Sequence, residues 1–135
     1  MKSYTSIEQS RKLAEILPIE SADMYFIGHQ SIINPKEWEY EDMPKVRGKY
    51  IAFDDKRIFY PCWSLAALYD ILPNNKKEST TLSRGGWKIY PIEYLDNWWG
   101  EYEDESHTKD FAVSADNPID ACYELILKLN ELRML

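Results

Sequence analysis

One stretch bounded by two prolines, Pro61-Cys62-Trp63-Ser64-Leu65-Ala66-Ala67-Leu68-Tyr69-Asp70-Ile71-Leu72-Pro73, constrains this chain more than any other. Ser64 can accept a hydrogen bond from a backbone N–H one turn on and so cap a helix. Trp63 and Leu68 stand where a hydrophobic staple forms. Leu65, Leu68, Tyr69 and Leu72 recur at i, i+3, i+4 and i+7, which makes one apolar face. Pro73 biases Leu72 out of helical geometry and ends the element. The segment builds a small core and carries no reactive group in a reactive setting.

The flanking regions supply the other elements. Thr5-Ser6-Ile7-Glu8 reads as a capping box, Thr5 capping and Glu8 reaching back. It opens a helix that runs to Leu17 and stops at Pro18. Met24 to Ile27 reads as a short strand ended by Gly28, and residues 29–45 as irregular and polar. Tyr50-Ile51-Ala52-Phe53 and Arg57-Ile58-Phe59-Tyr60 read as β-rich runs around a turn. Residues 80–84 and 87–92 flank Gly85-Gly86, a pair that supplies the positive φ of a tight hairpin turn. Asn117 caps the last helix, Pro118 takes its first position, and Asp120 favours the positive end of its dipole. Ile119, Cys122, Leu125, Ile126, Leu129 and Leu132 give that helix a continuous apolar face. The expected fold is α+β, an antiparallel sheet of hairpins covered by about three amphipathic helices in a sandwich-like domain spanning residues 1–135.

Charge narrows the class of partner. The 135 residues carry a net charge of −7, which argues against binding nucleic acid, since phosphates need a basic patch. The charge is uneven: residues 93–110 hold seven acids against one lysine, and residues 45–57 hold five bases against two acids. Two cysteines make no disulfide framework, and buried free thiols in a reducing compartment are expected. The first residues, Met1 to Arg11, hold no apolar run, and no stretch reaches the ~20 apolar residues of a membrane span. A cytoplasmic protein without membrane association is the expectation.

Three blocks carry a resemblance: Thr5-Ser6-Ile7-Glu8-Gln9-Ser10, Pro61-Cys62-Trp63-Ser64-Leu65-Ala66-Ala67-Leu68, and Asp116-Asn117-Pro118-Ile119-Asp120-Ala121-Cys122-Tyr123-Glu124. Together they resemble a group of small proteins of Bacteroides-type gut bacteria, their phages and integrated elements. That group is similar to the phage ABA sandwich domain, in which helices cover both faces of a sheet. The resemblance implies a fold and a phage or mobile-element origin. It supplies no catalytic residue.

The candidate site rests on a repeat. Glu-Tyr-Glu-Asp occurs at 39–42 and at 101–104, each time just after tryptophan: Trp38, and Trp98-Trp99 (Gly100 intervening). Alternating acids and aromatics on a loop combine negative charge with flat apolar contact, which suits a basic patch on another protein. Trp98, Trp99, Glu101, Tyr102 and Glu103 form the first candidate surface, and Trp38 and Tyr40 the second. The competing reading has the tryptophans anchoring loops to the core while the acids face water.

Other chemistries fit less well. The acids lack the ligand spacing and glycine of a calcium loop, so no metal and no cofactor is expected. Tryptophans with acids also suit a carbohydrate-binding or hydrolytic cleft, which needs two carboxylates at a set separation. An acidic mimic of nucleic acid needs rows of acids over one face. Cys62, His29 and His107 supply the residue types of a nucleophilic pair, yet Cys62 directly precedes a packed helix. Arg84-Gly85-Gly86 lacks the Gly-x-x-x-x-Gly-Lys and following helix of a phosphate loop. A non-enzymatic interaction domain is the leading expectation, and an acid-and-aromatic cleft hydrolase or carbohydrate binder the alternative.

Overall fold

A computed structural model describes residues 2–48, 53, 55–72, 86–92, 97–103, 111–133 and 135, with backbone alone at 86–88, 90, 92 and 103. The fold is α+β, with three α-helices and two antiparallel sheets among these residues. No helix among them is long and apolar enough to cross a membrane. The chain divides into two compact units, residues 4–67 and residues 1–3 with 68–135.

In the unit of residues 4–67, helix α1 (Ile7–Ile16) is opened by a capping box one residue later than the sequence predicts. The Ser6 hydroxyl accepts from Gln9 N at 3.1 Å, and the Gln9 side chain accepts from Ser6 N at 3.0 Å. Thr5 is taken by a different task. It is fully buried, its hydroxyl accepts from Trp63 N at 3.1 Å, and it bonds the Ser10 hydroxyl at 2.8 Å. The helix ends at Ile16, Leu17 serving as its C-cap before Pro18.

The sheet of this unit is organised on β1 (Met24–Gln30). Strand β1 pairs antiparallel with β2 (Trp38–Tyr40), β3 (Lys45–Val46) and β4 (Phe59–Cys62). Three sequence expectations are corrected here. Gly28 does not end the strand; β1 continues to Gln30 because Gly28, His29 and Gln30 pair with Tyr40, Glu39 and Trp38. Residues 29–45 are therefore not wholly irregular, and β2 and β3 are too short to leave a readable alternation. Strand β4 starts at Phe59 and takes in Pro61 and Cys62. Pro61, which has no N–H to give, sits on a strand that pairs with β1 alone among the described residues.

Gly28 is fixed by crowding. A Cβ there would lie 1.9 Å from the Arg57 carbonyl oxygen and 2.9 Å from the Tyr40 ring. The turn before β4 crosses β1 at this point, and Gly28 N donates to Ile58 O at 2.8 Å.

Helix α2 (Leu65–Ile71) is capped as read, the Ser64 hydroxyl accepting from Ala67 N at 3.2 Å. Asp23 anchors the cap by accepting from Ser64 N and from the Ser64 hydroxyl. Trp63, Leu68 and Leu72 are buried, and Leu65 and Tyr69 half-buried.

In the other unit, β5 (Gly86–Ile92), β6 (Asn97–Glu103) and β7 (Phe111–Ala115) form a sheet with β6 in the middle. Strand β5 pairs with β6 from Gly86↔Glu103 to Ile92↔Asn97. The expected partner of that strand, residues 80–84, and Gly85 of the turn lie outside the described residues, as do Tyr50, Ile51 and Ala52. Helix α3 (Pro118–Glu131) is capped by Asn117, which accepts from Asp120 N at 2.9 Å, with Pro118 in the first turn. Ile119, Cys122, Leu125, Ile126 and Leu129 are fully buried. Leu132 is a correction: it falls at the C-cap, past the last helical turn, and is 38% exposed.

Candidate functional site

The acidic aromatic segment 98–103 is a strand, not a loop, and this changes what it can do. Side chains alternate across a strand. Trp98, Gly100 and Tyr102 share one face of β6 with their register partners Ala115, Val113 and Phe111. Helix α3 lies on that face: a Cβ on Gly100 would stand 3.1 Å from Val113 Cγ2 and 3.4 Å from the Ala121 carbonyl oxygen. Tyr102 is buried there, its ring stacked on Phe111 at 5.7 Å and 25°. Trp98 is half-buried on the same side.

Trp99 and Glu101 fall on the opposite face, turned away from α3; the backbone of Glu103 pairs with Gly86 at the end of β6. Their cross-strand partners on β7, Ser114 and Ala112, are exposed. The Trp99 indole N–H donates to Glu101 Oε2 at 3.2 Å. The site predicted as one surface is thus divided, with Tyr102 and Trp98 on the helix-packed face and Trp99 with Glu101 on the outer one. The rest of the predicted acidic loop, Asp104 and Glu105, and also His107, lies outside the described residues.

The second candidate segment sits on β2 in the other unit. Trp38 and Tyr40 are half-buried, and each carries a cation from the same chain. The Arg57 guanidinium lies 5.4 Å from the centre of the Trp38 ring, and that of Arg11 lies 5.9 Å from Tyr40. Asp55 grips Arg57 through two bonds, 3.1 and 3.0 Å, and the arginine in turn holds the Asp55 carboxyl below its ordinary range. Tyr40 also donates to Lys56 O at 3.1 Å and meets Tyr60 edge-on at 5.4 Å. This arrangement is a ring, a guanidinium and a carboxylate in series, closed within the chain.

The thiols are placed for packing. Both cysteines are free and buried. Burial pushes the Cys62 thiol from 9.0 to about 11, and its hydrogen-bonding neighbours are hydroxyls and the Thr5 carbonyl. Burial pushes Cys122 up as well. His29 is exposed and lies 3.0 Å from Glu41. Among the described residues no imidazole is placed to activate the Cys62 thiol. Among the described residues no group of three or more His, Cys, Asp or Glu side chains is placed to hold a metal ion.

Sequence reasoning passed over Ile32 and Ile33, which are 99% and 94% exposed between β1 and β2. The signal was present: Ser31 before the pair and Asn34-Pro35 after it are turn residues, which puts the two isoleucines at a turn. Comparison with known protein families, characterised proteins and solved structures gave no match.

Proposed function

We propose that this protein is a non-enzymatic interaction domain that binds a basic patch on another protein through the outer face of β6. The carrying observation is the Trp99–Glu101 pair: a flat apolar ring held by its own indole N–H to a carboxylate, on the sheet face turned away from α3. An arginine can stack on such a ring while the carboxylate satisfies its charge, and fixing both groups beforehand lowers the ordering cost of binding. The chain holds one example of this chemistry internally, where Arg57 lies over Trp38 in the grip of Asp55. Trp38 and Tyr40 serve a second surface in the same proposal, where Arg57 and Arg11 lie over the two rings. The acidic balance favours a basic protein over a nucleic acid as partner. Action in the cytoplasm and descent from a phage or mobile element, with the ABA sandwich arrangement, belong to the same proposal and rest on the resemblance of the capping and core blocks.

The test is a pull-down from host extract with wild-type protein, Trp99→Ala and Trp38→Ala, each checked for native circular dichroism. The expected result is a partner retained by wild type and Trp38→Ala and lost by folded Trp99→Ala. Retention by Trp99→Ala, or its unfolding, would overturn the assignment.

A further inference from the structure

The turn between β1 and β2 is hydrogen-bonded on both sides of two apolar side chains that stand almost wholly in solvent. Ser31 N donates to Glu37 O and Glu37 N to Asn34 O, both at 2.9 Å. Asn34 N donates to the Ser31 hydroxyl at 3.3 Å, and Lys36 N to Asn34 Oδ1 at 3.2 Å. The Gln30 side-chain amide closes the turn on Pro35 O at 2.6 Å. Ser31 is buried, whereas Ile32 and Ile33 stand almost wholly in solvent. Single exposed aliphatics are ordinary. Two consecutive β-branched side chains between hydrogen-bonded flanks form an apolar point whose stiff χ1 angles leave little side-chain freedom to be lost on binding.

Charge selects what covers them. The strand leaving the turn presents exposed Glu37, Glu39, Glu41 and Asp42. The bases beside them are Lys36 and Arg57, the latter over the Trp38 ring and held by Asp55, and His29 lies 3.0 Å from Glu41. An anionic bilayer repels such a tip. A second copy would bring the same acids together, and two pairs of isoleucines fall short of the ~1,200 Å² of a stable interface. We infer that Ile32 and Ile33 are a preformed knob that seats in an aliphatic recess, rimmed by basic residues, on a protein partner. Ile32 and Ile33 belong to a different unit from Trp99 and Glu101, and the claim stands or falls without them.

The experiment places the photoreactive residue p-benzoylphenylalanine at position 33 of the full-length protein, and at exposed Glu8 of α1 as control, for crosslinking in host extract. The crosslinked protein is identified, purified, and titrated with wild type, Ile32→Ser/Ile33→Ser and Trp99→Ala at low and high salt. The expected result is a protein adduct specific to position 33. Its affinity falls about tenfold or more in the double serine variant, whose melting temperature is unchanged, and weakens with salt. The inference is overturned by the absence of a position-33 adduct, by an adduct with a second copy, or by equal affinity of the serine variant. Salt-insensitive binding, or co-sedimentation with phosphatidylcholine vesicles lost in the serine variant, overturns it as well.

Discussion

Replacing Gly28 by alanine tests the packing that sets the β1–β2 hairpin. The added methyl would sit 1.9 Å from the Arg57 carbonyl oxygen, so the crossing turn must retreat by about 1.5 Å to reach ordinary contact. That turn is pinned. Ile58 N and Phe59 N both donate to Asp55 O at 3.1 Å, and Arg57 N donates to Asp55 Oδ1 at 2.9 Å. Retreat therefore breaks the bond from Gly28 N to Ile58 O. Overpacking costs about 1–3 kcal/mol and the lost hydrogen bond about 0.5–1.5 kcal/mol, so the variant should lose about 2–4 kcal/mol. For a chain of this size that lowers the melting temperature by roughly 8–15 °C. The assay is thermal and urea unfolding followed by circular dichroism, with Gly48→Ala as reference. A Cβ at Gly48 meets nothing within 4 Å, and that variant should be neutral or gain up to about 1 kcal/mol. Equal stability of the two variants would refute the crowding argument.

Three further outcomes follow from the same structure. Asn117→Ala removes the α3 cap and should cost about 1 kcal/mol in urea unfolding, with Asn117→Ser recovering part of it and Asn117→Asp recovering less, because its carboxylate would face that of Asp120 where the amide now donates. Tyr102→Ala should cost about 3–5 kcal/mol by the same measurement, because its ring is buried and stacked, so it should read as a core residue and not as a contact. Cys62 has a raised folded-state value, so its stabilising effect is complete below pH 9 and is lost as pH rises toward 11. Wild type should lose on the order of 2–3 kcal/mol relative to Cys62→Ala across that window, measured by urea unfolding at stepped pH.

What the sequence made legible was local chemistry with one outlet. Asn117-Pro118-Ile119-Asp120 has one low-energy reading, and the structure matches it residue for residue. Ser64 capping α2 is the same case. Thr5 and Ser6 show the limit: both suit a cap, and the choice was made by a distant group, the Trp63 N–H that takes the Thr5 hydroxyl. The candidate site read as one surface, which β6 divides, for a related reason. Dense acids in residues 101–104 suggested a solvated loop, whereas the alternation of tryptophan, glycine, tyrosine and glutamate has the two-residue period of a strand. Once β6 forms, the period assigns Tyr102 to packing and Trp99 with Glu101 to the outer face. The arginines over Trp38 and Tyr40 were not readable, since their pairing depends on where the turn before β4 and helix α1 come to lie.

The most direct test of the proposed function is the affinity of Glu101→Lys for the partner that wild-type protein retains. Reversing this charge on the outer face of β6 should leave the circular dichroism native and weaken binding about tenfold or more, with the salt dependence of the wild-type interaction lost. A native Glu101→Lys protein that binds its partner as tightly as wild type would contradict a basic partner at Trp99 and Glu101.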